Sequence, residues 1–187
     1  MKQIAVHLPK LPKYVWVFVM LTLWLAFSTA MPSESYPKVD PVFWKLKLKT
    51  IADDSIPMQS LKGRYLLLNF WGEWCAKCQE ELPFLVRQEM KYSGSGLRII
   101  GFLKTGNMAK AKKLLKENNA DWTQIQLDDQ VEKIFGIRKF PTNLLISPQG
   151  EIVMEGFSNH YQAFKKRMEA SGSGSEVKKS EIPAPPK

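Results

Sequence analysis

Cysteine and histidine are scarce in this chain of 187 residues, which has two of each: Cys75 and Cys78, His7 and His160. The scarcity removes whole classes of chemistry. A tetrahedral zinc site needs four ligands, and the chain offers no second cysteine pair and only His160 beyond its first thirty residues. Cysteine-protease chemistry needs a base beside its nucleophile, and nothing in the pattern places His160 near Cys75. There is no Arg-rich stripe interleaved with aromatics, so nucleic acid is not an expected partner. No metal site is assigned, and no internal repeat is visible.

Acidic residues are also missing from the first thirty positions, where the only charged side chains are Lys2, Lys10 and Lys13. From Tyr14 to Ala30 the chain carries no charge at all, which is the order of an export segment. Small residues at Ser28-Thr29-Ala30 suit signal-peptidase cleavage before Met31, while the length also reaches the lower limit of a membrane anchor, about 17 residues. Cleavage and anchoring both stay open, and a buried core helix is the third reading. With either of the first two, the chain that follows lies outside the cytoplasm, periplasmic in a bacterium, with residues 14–30 offering membrane attachment. Setting those three lysines aside leaves 24 of the 27 basic residues against 18 acidic ones, a moderate excess that admits acidic partners or an anionic surface.

With 44% hydrophobic and 24% charged residues, the remainder has the balance of a globular protein of one domain with appendages. Residues 31–41, with three prolines and no periodicity, read as a spacer, and 42–170 as the domain. Alternation over Trp44–Lys49 predicts a half-exposed strand and Leu66–Trp71 a buried one. Residues 76–90 fit a helix with Leu82, Leu85, Val86 and Met90 inward and a kink at Pro83. Leu97–Leu103 reads as the next buried strand, making a βαβ unit. A helix over 107–118 has Met108, Ala111, Leu114 and Leu115 inward and Lys110, Lys112, Lys113 and Lys116 mostly outward, as a solvated face. A strand at 123–127 and a short helix at 131–135 ending on Gly136 come next, then a hairpin turning at Ser147–Gly150 and a last helix near 160–169. Residues 171–187 have too few apolar groups to offset the entropy of ordering and read as a disordered tail.

The two cysteines stand as Cys75-Ala76-Lys77-Cys78 where a buried strand meets a helix. At a helix N-terminus, unpaired N–H groups and the positive end of the macrodipole favour thiolate over thiol. Such placement lowers a thiol pKa from about 8.5 to roughly 3.5–7.5. Cys75 is the expected nucleophile and Cys78, one turn further, the resolver of a mixed disulfide. Lys77 adds to thiolate stabilisation, whereas Glu73 and Glu81 oppose it. A passive structural disulfide is the plain alternative, but a bridge around two residues constrains the unfolded chain little.

The run Asn69-Phe70-Trp71-Gly72-Glu73-Trp74-Cys75-Ala76-Lys77-Cys78-Gln79-Glu80-Glu81-Leu82-Pro83-Phe84-Leu85 resembles the active-site segment of the TlpA/ResA/CcmG group of thioredoxin-like proteins. Phe140-Pro141-Thr142 is similar to that group's cis-proline strand and Gly150–Gly156 to its closing hairpin, so the resemblance covers about residues 42–170. It implies an α/β thioredoxin-like fold, a central mixed β-sheet flanked by helices with a short N-terminal β extension. It also implies that Pro141 is cis beside the dithiol, with Phe140 and Trp74 meeting substrate. Glu81 becomes a residue that tunes the thiols, the alternative being an exposed helix carboxylate. Asn69 stands where cytosolic thioredoxins keep a buried acid, and Lys77 replaces the proline most of the group has, which puts a reducing poise in question.

The expected function is thus an exported thiol–disulfide oxidoreductase without a cofactor beyond its redox-active Cys75–Cys78 disulfide. By resemblance its clients are exported disulfide-bearing proteins, such as apocytochrome c or copper-site proteins, and its dithiol is restored by an upstream thiol donor, soluble or in the membrane. Two alternatives run beside it. One is an oxidant or isomerase of exported proteins, which Lys77 permits; the other is a Cu(I)-binding delivery module using the two thiolates.

Overall fold

A computed structural model describes residues 36–156 and 161–170, together with Pro12, Tyr14, Val15, Met20 and Thr22 near the start. The export segment, the cleavage position at Ala30 and the 171–187 tail therefore lie outside the described residues, apart from those five. Among the described residues no helix is long and apolar enough to cross a membrane.

Five strands form the central sheet: β3 (Tyr65–Gly72), β4 (Leu97–Lys104), β5 (Gln124–Gln126), β6 (Thr142–Ile146) and β7 (Ile152–Glu155). Their order is β5-β4-β3-β6-β7, with β3, β4 and β5 parallel and β6 and β7 added antiparallel. The parallel pairing is closed by α1 (Ala76–Tyr92), which joins β3 to β4, as the βαβ reading expects. Helices α2 (Met108–Glu117), α3 (Asp129–Phe135) and α4 (Tyr161–Ala170) complete the mixed, helix-flanked architecture of the thioredoxin fold. A separate hairpin of β1 (Lys47–Lys49) and β2 (Ser55–Pro57) is the N-terminal extension.

The central strands read as continuous apolar runs because both sheet faces are covered. Successive side chains point to opposite faces, so Leu67, Trp71, Ile99, Leu103 and Leu145 pack with Leu82 and Leu85 of α1, Ala111 of α2 and Phe164 of α4. Leu66, Leu68, Phe70, Ile100, Phe102, Leu144 and Ile146 pack on the other side, with Phe43, Trp44, Met58 and Val131. At about 25 cal/mol per Å² this two-sided burial is the main favourable term for the fold.

Several expected elements change in detail. The strand expected over Trp44–Lys49 begins as a 3-10 turn, Phe43–Lys45, and pairs as a strand only from Lys47, because Phe43 and Trp44 both turn into the core. Helix α1 continues past Pro83 to Tyr92, and Met90, expected inward, is exposed while Gln88 is buried. Helix α3 starts two residues earlier than expected, where the Asp128 carboxylate accepts the Val131 N–H at 2.8 Å, and it stops on Gly136 at φ 61°. Ahead of the hairpin, Val39 is buried and donates its N–H to Gly150 O at 2.9 Å, tying Tyr36–Pro41 to the β6–β7 turn.

Candidate active site

Strand β3 ends at Gly72, whose carbonyl accepts the Cys75 N–H at 3.1 Å in a tight turn that delivers Cys75 to the N-cap of α1. The Cys75 backbone is extended, and its Sγ accepts the N–H of Cys78 at 3.2 Å, the place of an N-cap oxygen. Cys75 and Cys78 are joined as a disulfide with Cα atoms 5.2 Å apart. Their exposure is unequal: Cys75 is half-buried and Cys78 is 2% exposed, against Leu82 on the core side. The outer sulfur is therefore the more accessible of the two, and the inner one lies behind it on the core side.

Trp74 is 53% exposed, and its ring meets Phe140 edge-on at 6.0 Å between centroids. Phe140 precedes Pro141 through a cis peptide bond, so the β3–α1 turn and the segment entering β6 come together at the dithiol. The indole also folds over Gly72, where an added Cβ would lie 2.8 Å from ring atoms; only glycine leaves that room. Lys77 is exposed on the first turn of α1.

Behind the cysteines runs a chain of polar side chains. Asn69 and Asn143 are cross-strand partners on β3 and β6, and Asn69 Nδ2 donates to Asn143 Oδ1 at 2.9 Å. Asn143 Nδ2 in turn donates to Glu81 Oε2 at 2.9 Å. Glu81 follows Cys78 by three residues and so shares its face of α1. Burial pushes the Glu81 carboxyl above its ordinary range, and the Asn143 amide offsets only part of that. Glu81 is thus half-buried rather than the exposed helix carboxylate of the alternative reading.

Glu73 has a different part from the one its position suggests. Its side chain is buried, and Oε1 accepts the backbone N–H groups of Gly106 at 3.2 Å and Asn107 at 3.0 Å. Burial alone raises its pKa, but the Thr105 side chain and these backbone donors outweigh it and hold the carboxyl below its ordinary value. Asn107 caps α2, so the carboxylate sits at the positive end of that helix. Gln79 completes the tie by donating to the Glu73 carbonyl at 2.7 Å. The turn carrying Cys75 is in this way fastened to the loop after β4.

The fold thus brings Trp74, Cys75, Cys78, Phe140 and Pro141 together, with Glu81 on the face behind them and Lys77 on the rim. Sequence reasoning missed Asn143, which looks like an ordinary hairpin residue; the one available signal is an amide inside an otherwise apolar strand. It also missed Gln124, buried on β5, whose Oε1 accepts the Trp71 indole N–H at 2.9 Å over the bare Cα of Gly101. Among the described residues there is no cluster of three or more His, Cys, Asp or Glu side chains placed to hold a metal.

A five-stranded sheet with this order, a cysteine pair at the N-terminus of its first crossing helix and a cis-proline opening β6, next to the phenylalanine that meets Trp74, define a thioredoxin-fold dithiol protein. Its sequence matches the AhpC/TSA family over residues 41–155, and the chain belongs to that family. It is 28% identical over 99 residues to the thiol-disulfide oxidoreductase ResA of Bacillus subtilis (strain 168), covering 52% of this chain and 55% of that protein. Over 108 residues it is 30% identical to ResA of Halalkalibacterium halodurans, covering 57% of this chain and 61% of the relative. These relatives bear out the resemblance to the TlpA/ResA/CcmG group, although the chain spans little more than half of their length. The thioredoxin domain of a thiol-disulfide oxidoreductase from Bacteroides vulgatus superposes with a TM-score of 0.62 at 25% identity, covering 73% of this chain and 99% of that one. A thiol:disulfide interchange protein from a Bacteroides species, at 24% identity, shares the fold with a TM-score of 0.62 over 76% of this chain and 95% of its own.

Proposed function

We propose that this protein is a thiol–disulfide oxidoreductase that works outside the cytoplasm and reduces disulfides in exported client proteins. The observation that carries the reading is the unequal cysteine pair: an approachable Cys75 capping α1 and a buried Cys78 one turn behind it. The Cys75 thiolate attacks one sulfur of a client disulfide, forming a mixed disulfide and releasing the other client sulfur as a thiolate, which takes up a proton. Cys78 then gives up its proton and attacks Cys75 Sγ, which releases the second client thiol and closes the Cys75–Cys78 disulfide. Two electrons pass to the client, and a dithiol donor, soluble or in the membrane, returns them. Glu81, with its raised pKa, is the carboxyl that tunes the pair from the helix face, while Trp74, Phe140 and Pro141 form the floor for the client chain. Residues 14–30 supply export or anchoring.

Lys77 favours a second reading in which the same steps run backward and the protein donates disulfides, because a cation beside the pair stabilises the reduced thiolate form. The reduction potential separates the two. A value at or below about −250 mV supports a reductase, whereas about −120 to −180 mV is the range of oxidants and isomerases. Full disulfide-reducing activity in Cys75→Ser would sink both.

A further inference from the structure

Two segments meet at Trp74, the neighbour of the outer cysteine. Trp74–Lys77 opens α1 and Ile137–Pro141 leads into β6, and the Trp74–Phe140 ring contact joins them. Lys77, Arg138 and Lys139 are all exposed, and none of the three enters an ion pair among the described residues. Three carboxylates from nearby elements are engaged elsewhere. Glu73 is buried against the Gly106 and Asn107 amides, Glu81 is bonded to Asn143, and Glu132 holds Lys104 at 2.6 Å. On these two segments and the next turn of α1, only Glu80 remains as an exposed carboxylate; Asp129 shares a shallow cleft with Arg138 further out. The rim therefore has net positive charge, reinforced by the N-terminal end of α1.

We infer that this rim selects clients whose cysteines are flanked by acidic residues. An extended client segment crosses the Trp74–Phe140 floor with carboxylates toward Lys77 on one side and toward Arg138 and Lys139 on the other. This rests on the exchange reaction proposed above and adds the chemistry of the polypeptide that meets it. Exposed ion pairs are individually weak, but several of one sign around a single approach raise the encounter rate and suppress partners of like charge. At an ionic strength near 0.1 M the screening length is about 10 Å, so a flanking carboxylate acts within range of these cations and loses its effect at high salt.

The experiment compares three disulfide-bridged peptides that differ only in the residues flanking their cysteines: Asp and Glu, Ser, or Lys. Each is reacted with the reduced full chain at about 20 mM and at about 500 mM salt, a span over which screening shortens several-fold. The expected order is acidic, neutral, basic, with the acidic peptide about ten-fold faster than the neutral one at low salt and within about two-fold at high salt. The double variant Arg138→Glu, Lys139→Glu should lower the acidic-to-neutral ratio to one or below. Equal rates for the three peptides at low salt, or a ratio unmoved by the double variant, would overturn the inference. If no peptide is exchanged, the proposed reaction has failed, and the rim is then tested by fluorescence anisotropy with labelled peptides carrying Ser for Cys. Tighter binding of the acidic peptide supports the inference in that case, and equal binding overturns it.

Discussion

Replacing Glu73 with alanine should loosen the tie between the cysteine turn and the loop after β4, and its cost follows from the contacts. The carboxylate accepts two backbone N–H groups, from Gly106 and Asn107, and the Thr105 side chain bonds it as well. A hydrogen bond to a charged group contributes about 1.5–3 kcal/mol. Gly106 and Asn107 are exposed, so the Gly106 N–H turns to water, the Asn107 N–H keeps its bond to Thr105 Oγ1 at 3.0 Å, and each loss falls at the low end. For the two backbone bonds the sum is about 3 kcal/mol, or a fall of roughly 9–12 °C in Tm for a domain of this size. The sign with pH is fixed by the depressed folded-state pKa. Stability from the ionised carboxylate is fully present above the unfolded value, about 4.3, and is lost as pH falls through the lower folded value. The gap between the parent protein and Glu73→Ala should hold steady from pH 8 to 5 and narrow below about pH 4. Glu73→Gln keeps a neutral acceptor and should lose about half as much. Thermal unfolding of the disulfide-bonded chain, followed by circular dichroism across this pH range, measures all three. A loss under about 0.5 kcal/mol, or a gap that does not narrow by pH 3, would refute the reasoning.

Glu81→Gln should raise Tm at pH 7, because burial lifts the carboxyl's folded pKa, so stability is lost as pH rises above the unfolded value of about 4.3 and the loss is complete above the folded value; the gain should vanish below about pH 4, and thermal melts at both pH values check it. Asn143→Ala removes the donor that partly offsets this burial and should move Glu81 ionisation further up, which a carboxyl-carbon NMR titration reads directly. Gly101→Ala places a Cβ 1.9 Å from Gln124 Oε1 and displaces the acceptor of the Trp71 indole. It should cost about 2–4 kcal/mol in denaturant unfolding, from overpacking and a lost buried hydrogen bond. Gly72→Ala pushes a Cβ into the Trp74 ring, and a several-fold slower peptide exchange is expected; an unchanged rate would show that the indole's position does not matter to the client.

The elements that could be read in the sequence are those with a long pattern. Leu66–Trp71 and Leu97–Leu103 are apolar runs because both sheet faces are covered, and the helix after Cys75 shows its inward Leu82 and Leu85 at helical spacing. Strand β2 left no such trace: three residues ending on Pro57 pair only with β1 at an edge, where proline is tolerated and alternation is too short to see. Met90 misled because helical periodicity near a C-terminal turn does not reveal which residue the core reaches, and Gln88 takes the buried position. At the site, the cysteines are legible from local motif, and Pro141 only through the resemblance that Phe140-Pro141-Thr142 carries. Glu73 and Asn143 are not, since their partners lie 33 or 34 and 62 residues away and only the tertiary fold brings them close. The apparent conflict between Glu73 and a stabilised thiolate is likewise reduced once its charge is seen to rest on the N-terminal end of α2.

The amide pair behind the cysteines has a consequence for how the protein responds to acidity. Asn69 and Asn143 join the two central strands with groups that neither gain nor release protons at ordinary pH. The sheet interior under the dithiol therefore presents the same field in a neutral and in a mildly acid compartment. What varies behind the pair is Glu81, at the end of the amide chain and on the helix face. An acid buried in the strand would place proton exchange inside the core, where solvent arrives only by local opening. Here the variable charge stands at the half-buried margin, on the face of α1 that Glu81 shares with Cys78.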